Sequence, residues 1–351
     1  MSSSTIPPRR INQTLDGQLP SAGGAAASID RPEDEVQRDT LEARPSIGAA
    51  SRTHVVRHRA LVLHGGGSAG NAWEIGIVAG LSDAGVALIE ADLIVGTSAG
   101  ATVAAQMTAA SPVDLLTAIL DAAVESRDRV GRGADGRGLN VPVVNHMEVS
   151  NDVIHSSRDA DDMRRRMGAA ALAHHAPFSA ERQDHWRDIV AARLPHHRWP
   201  YQLILITAVD AHTGEPVVFD RDSGVDLVDA VAASCANGFG VAPYVIGERR
   251  FIDGGYRRNE NADLAAGYAR VLVLSPFGGR TRHPLSWGMQ LSAQVEELRA
   301  GGSRVETVFP DAASLAAFGP NMMDLSRRPP SARAGYQQGR SLAERLLEFW
   351  R

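Results

Sequence analysis

The sequence contains no lysine: all 36 basic residues among its 351 are arginine. Schiff-base and pyridoxal-phosphate chemistry, a Walker P-loop, protein-kinase catalysis and a Ser–Lys nucleophile pair all need a lysine amine, so each is excluded. Cysteine is almost as scarce. Cys235 stands alone, which removes an intrachain disulfide scaffold and a Cys-rich zinc site. Aromatic residues make up only 5%, a thin supply of base-stacking platforms. Positive charge is not in excess: 36 basic residues face 41 acidic ones, a net charge of −5. Phosphate backbones need a concentrated positive surface, so nucleic acid is not expected as a partner. No run reaches the ~18 uninterrupted apolar residues of a transmembrane helix. No apolar stretch of ~7–15 residues follows a basic start, as a signal peptide would require. The expected compartment is the cytoplasm, with peripheral placement at the membrane as the variant.

What is present suits a buried core: 44% hydrophobic and 22% charged residues, close to globular averages. The first 55 residues are the exception. Their apolar residues are scattered without period, so a disordered tail is expected there. Residues 56–351 read as one α/β domain. Ala60–Leu63 and Leu93–Val95 are short apolar strands, each followed by a glycine-rich turn and then a helical stretch (Trp73–Ala84 and Ala101–Ala110), the signature of parallel βα units. A region of helical composition, about 112–200, is expected as an insertion and includes the loop Gly131–Gly138. Strands resume at Leu203–Ile206, Val217–Phe219, the hairpin Tyr244–Ile252, Val271–Leu274 and Val305–Phe309. Ser331–Trp350 reads as one amphipathic helix, expected to pack on the core.

Gly96-Thr97-Ser98-Ala99-Gly100 is a G-x-S-x-G between a strand and a helix of small residues. Such a turn strains the serine backbone, projects its Oγ, and sets it beside the N–H groups of the following helix. Gly65-Gly66-Gly67-Ser68-Ala69-Gly70 offers exposed backbone N–H groups suited to an oxyanion hole. The same letters fit the G-x-G-x-x-G of a dinucleotide fold, which needs an acid at the far end of the second strand. Here Glu90 and Asp92 precede that strand, at the wrong end, so this reading is demoted. Asp253-Gly254-Gly255 follows the apolar end Phe251-Ile252, so its carboxylate is expected to emerge at a strand terminus. Partial burial would raise its pKa and make it a better proton acceptor for Ser98.

Together, in order and spacing, these three motifs resemble the patatin-like phospholipase family, bacterial type, from about Ala60 to about Pro276. The resemblance implies a three-layer α/β/α fold with a central, mainly parallel sheet. It implies hydrolysis of carboxylic esters of lipids through an acyl-Ser98 intermediate, by a Ser98–Asp253 dyad without histidine, metal or cofactor. By motif match Ser98 is the nucleophile, Asp253 the proton acceptor, and Gly65, Gly66 and Gly67 the oxyanion hole. Gly70, Gly96, Gly100, Gly254 and Gly255 are motif glycines. The implied partner is a lipid or other acyl-ester substrate, met in transient contact with a membrane surface. Many members carry Arg or Lys just before the last glycine of the first motif, where this chain has Ala69.

Two alternatives stay open. One is an α/β-hydrolase-type esterase with a Ser98–Asp253–His283 triad, His283 being the only histidine after Asp253. The other is a non-catalytic lipid-binding protein on the same fold. Lesser candidates read as structural: His174-His175 and His196-His197 as adjacent pairs with diverging side chains, Cys235 as a small buried residue, and Arg164–Arg166 as a solvated face.

Overall fold

The computed structural model describes residues 58–130 and 143–351; the tail expected over 1–55 and the loop at 131–138 lie outside the described residues. Successive side chains on a strand point to opposite faces, and the short apolar runs use both. In β1 (Arg59–Leu63), Ala60 and Val62 pack on one side, Leu61 and Leu63 on the other. There follow α1 (Gly67–Asp83), β2 (Leu93–Gly96) and α2 (Ala99–Met107). The region expected as a helical insertion holds α3 (Pro112–Val130), α4 (Val143–Ser156), α5 (Ala160–His174) and α6 (Ala180–Ala191). The chain returns to the sheet with β3 (Leu203–Asp210) and β4 (Pro216–Phe219), then α7 (Leu227–Ser234) and the hairpin of β5 (Tyr244–Ile246) and β6 (Arg249–Asp253). The remaining elements are β7 (Arg270–Leu274), α8 (Leu291–Ala300), β8 (Arg304–Val308), α9 (Ala312–Phe318) and α10 (Arg328–Trp350).

Among the described residues these strands make one eight-stranded sheet, ordered β5-β6-β3-β2-β1-β7-β8, with β4 paired to β3. β3, β2, β1, β7 and β8 run parallel; β4, β5 and β6 are antiparallel additions. Leu61, Ile94, Ile206 and Leu272 bury beneath α1, α2, α7 and α10. Val62, Val95, Val271 and Val273 bury beneath α8 and the turn at Ala262–Ala265. The architecture is therefore the expected three-layer α/β/α. Strand order reverses at β1, which has β2 on one side and β7 on the other, so the crevice beyond its carboxyl end is where a parallel sheet forms its site.

One detail differs from the sequence reading, a second goes beyond it, and both shape that crevice. First, α1 begins at Gly67, inside the glycine motif, six residues before the Trp73 start that composition suggests. Glycines are poor helix formers, but tertiary packing decides here. A methyl on Gly76 would lie 2.2 Å from the carbonyl oxygen of Ala332, and one on Gly335 2.3 Å from that of Trp73. α1 and α10 thus meet backbone to backbone, and Trp73 Nε1 seals the contact by donating to Gln338 Oε1 at 2.9 Å. Second, Asp253 ends an antiparallel strand. β3 overshoots β2, since Gly96 pairs with Ile206 while β3 continues to Asp210. β6 pairs with that overhang in reverse and stops with Asp253 opposite Ala208. No helix among the described residues is long and apolar enough to cross a membrane.

Candidate active site

The sheet register sets Ser98 and Asp253 level with one another, from strands on either side of β3. Ser98 follows β2 at φ 54°, ψ −118°, a backbone conformation that costs a non-glycine residue about 1–3 kcal/mol. The fold holds it there from both sides. Its N–H donates to Ser234 Oγ at 2.9 Å, and its carbonyl accepts from Cys235 Sγ at 3.1 Å and from the Ala101 N–H at 3.0 Å. The flanking motif glycines are demanded by close approach. A methyl on Gly100 would sit 2.1 Å from Leu63 O, and one on Gly96 2.6 Å from Ala101 Cα.

Asp253 Oδ1 accepts the Gly255 N–H at 2.8 Å. Burial pushes its carboxyl up from 3.8 to about 6, while hydrogen bonds from the Ser98 side chain and the Gly255 N–H pull the other way. The Ser98 side chain bears on this carboxyl, and both residues line one cavity. Gly254 lies flat on β3: a methyl there would be 2.1 Å from Thr207 Oγ1.

A residue the sequence reading passed over ties these two turns together. Asn261, fully buried and left-handed at φ 58°, donates from Nδ2 to Thr97 Oγ1 at 2.9 Å, to Thr207 Oγ1 at 3.2 Å and to Gly254 O at 3.0 Å. Thr97 precedes Ser98 and Gly254 follows Asp253, so one amide spans both. A lone Asn in a polar stretch carries no sequence signal; its lodging inside the core does.

The glycine turn comes from the end of β1. A methyl on Gly65 would stand 3.2 Å from Ser98 Cβ and 3.7 Å from its Oγ, so only glycine leaves room for a reacting group. One on Gly66 would meet Pro276 at 2.7 Å. Gly67 takes φ 59° and opens α1, and Gly70 closes its first turn by donating to Gly66 O at 2.9 Å. Among the described residues the N–H groups of Gly65, Gly66 and Gly67 donate to no protein acceptor.

The other candidates have surroundings that leave them out of proton transfer or away from the cavity. His283 Nδ1 is 3.2 Å from Asn259 Oδ1, and burial, aided by Arg282, lowers its pKa to about 4, so it is neutral. His64 is buried against Phe277 and pushed down to about 3. Burial, with Asp253 nearby, pushes the Cys235 thiol up to about 12, so it stays protonated. The His174 and His175 rings do not diverge as expected; they pack edge to face at 4.9 Å. Asp92 does not face a ligand crevice; it caps the sheet, accepting the His58 and Arg59 N–H groups.

Ser98, Asp253 and the three glycines open onto a cavity of about 1710 Å³. Leu115 and Ile119 of α3, Met147 of α4 and Trp186 of α6 supply apolar wall, so these helices line it.

The family model for patatin-like phospholipases matches residues 61–266, more than half of the chain, and spans all three motifs. No curated protein matches the chain in sequence. Among solved structures, VipD from Legionella pneumophila aligns at 12% identity over 82% of this chain and 67% of its own, with a TM-score of 0.39. The type III effector protein ExoU aligns at 18% identity over 81% of this chain, with a TM-score of 0.29; the alignment takes in 54% of the ExoU chain. Likenesses this distant do not bear on what the chain acts upon.

Proposed function

The chain belongs to the patatin-like phospholipase family, and from that premise we propose that it cleaves carboxylic esters of lipids through an acyl-Ser98 intermediate, with Asp253 as the only proton acceptor. The observation that carries this reading is that Ser98, held in its left-handed turn, and a carboxylate raised to about 6 open onto one cavity beside a glycine turn whose N–H groups are unspent. As Ser98 Oγ attacks the acyl carbonyl, its proton passes to Asp253. The oxyanion forms beside the free N–H groups of Gly65–Gly67, whose dipoles are fixed before reaction. Collapse expels the alcohol, which takes the proton from Asp253. Water then attacks the acyl ester, losing a proton to Asp253, and Asp253 returns that proton to Ser98 Oγ as the carboxylic acid departs. A carboxyl of pKa about 6 is a far better base near pH 7 than one at ~3.9.

The triad alternative is not favoured: His283 is hydrogen-bonded to Asn259 and pushed down to about 4, a weaker base than the Asp253 carboxylate raised to about 6. The motif glycines Gly70, Gly96, Gly100, Gly254 and Gly255 act by allowing the close packing of the two turns. Substrate is met at a membrane surface in transient contact, and no metal or cofactor enters the steps. The test is covalent labelling with a fluorophosphonate followed by peptide mass spectrometry. Label on Ser98 alone is expected; active protein with unlabelled Ser98 would overturn the assignment.

A further inference from the structure

The same cavity carries charge that the hydrolytic steps leave unused. Arg193, Arg280, Arg282 and Arg328 line it, and Asp253 is the one carboxylate among its described lining residues. The ion pairs among the described residues belong to other arginines.

Arg328 is the best placed of the four. It opens α10, with Pro329 and Pro330 in the first turn, where a missing N–H leaves no helical bond unmade. The backbone contact between α1 and α10 then sets it over the glycine turn. Its Nη1 donates to Asn71 Oδ1 at 2.8 Å and lies 3.5 Å from Ser68 O. Asn71 in turn reaches Ala99 O at 3.5 Å and Gln106 Oε1 at 3.3 Å, so a single amide separates the guanidinium from the residue after Ser98. Gln106 Nε2 donates to Arg193 O at 2.9 Å, and the Arg193 guanidinium stands 5.6 Å over the Trp186 ring. Among the described residues, Nε and Nη2 of Arg328 donate to no protein acceptor. Burial, with Arg193 nearby, lowers the Arg328 pKa only to about 10, so its charge persists at neutral pH. Two like charges beside a low-dielectric cavity, with donors unspent, complement an anion.

We infer that Arg328, with Arg193 beside it, is the subsite for a phosphate group on the alcohol portion of the substrate, an inference that rests on the acyl-hydrolase reading above. A fatty carboxylate is the wrong anion, because the acyl carbon must sit at Ser98 and Gly65, while Arg328 lies beyond Ser68. A guanidinium fork matches the oxygens of a phosphate.

The experiment compares a phosphate-bearing ester (a short-chain phosphatidylglycerol) with a neutral one (the matching diacylglycerol), for wild type, Arg328→Gln, Arg193→Gln and Arg328→Lys, after thermal melting shows each variant folded. Losing one charge-assisted contact should lower kcat/KM on the phosphate ester about 10- to 100-fold in Arg328→Gln. The neutral ester should change by no more than about threefold, and Arg328→Lys should restore part of the discrimination. Equal losses on both esters, or no loss on either, would overturn the inference. Inorganic phosphate separates the sources. If it alone inhibits competitively, and the two esters are not distinguished, the site takes free phosphate and the substrate assignment falls. If wild type cleaves neither ester, the hydrolase reading fails by itself. The subsite is then judged by calorimetric binding of the same phosphatidylglycerol to Ser98→Ala and to Ser98→Ala/Arg328→Gln, and equal binding refutes it.

Discussion

Replacing Asp253 by Asn should kill turnover and stabilise the fold, and the size of the second effect follows from the burial of the carboxylate. In the folded state its pKa is raised from 3.8 to about 6. The folded state therefore holds the proton more tightly than the unfolded chain. Its contribution to stability is fully present below pH 3.8, falls as pH rises through about 6, and is constant above. The full difference is at most about 3 kcal/mol, since each pKa unit is worth 1.36 kcal/mol and contact with cavity water discounts it. The substituted amide is a neutral isostere and never ionises, so it escapes this loss while its oxygen still accepts the Gly255 N–H. The variant should then exceed wild type by about 0.5 kcal/mol at pH 4 and by up to about 3 kcal/mol at pH 8. In melting temperature that is about 4–6 °C at pH 8 for a domain near 300 residues. The assay is thermal or urea unfolding of both proteins at the two pH values, beside ester hydrolysis. The same titration gives wild-type kcat/KM an acid limb with its midpoint near 6. An Asp253→Asn variant less stable than wild type by the same amount at both pH values would refute the burial argument. One that still turned over would refute the base.

Three further substitutions test the site. Ser98→Gly should be inactive yet more stable than Ser98→Ala by about 1–3 kcal/mol in urea unfolding, because only glycine adopts φ 54° without strain; equal stabilities would mean the turn is relaxed. His283→Ala should keep turnover within about threefold, whereas losing a triad imidazole costs on the order of 10⁴ or more; abolished activity in a folded variant would restore the triad. Asn261→Ala strips the Gly254 carbonyl and two threonine hydroxyls of a donor, at a cost of about 1–3 kcal/mol. Its kcat should fall with KM held, since Asn261 aligns the two turns; an effect confined to KM would contradict that role.

What could be read in the sequence was local. The two glycine turns and Ser98 sit within strand–turn–helix segments, and each carries its own pattern of apolar run, small residues and helix start. Asp253 was legible as an acid at the end of a hairpin strand, but not which strand that five-residue return pairs with. Its position depends on β3 outrunning β2, a property of pairing rather than of either segment. Arg328 was further out of reach. It is 257 residues from the Asn71 it binds, in an Arg-Arg-Pro-Pro stretch just ahead of the helix read from Ser331. What brings it to the cavity is the glycine-to-backbone contact of α1 with α10, and the glycines responsible look, in sequence, like flaws in two helices. In each of those helices glycine lowers intrinsic helix propensity by about 1 kcal/mol relative to alanine. Gly76 and Gly335 are tolerated because any side chain there would strike the partner's carbonyl within 2.3 Å. The residues that weaken each helix locally are thus the ones that join them, and through that joint α10 brings a cation to a glycine turn where Ala69 supplies none.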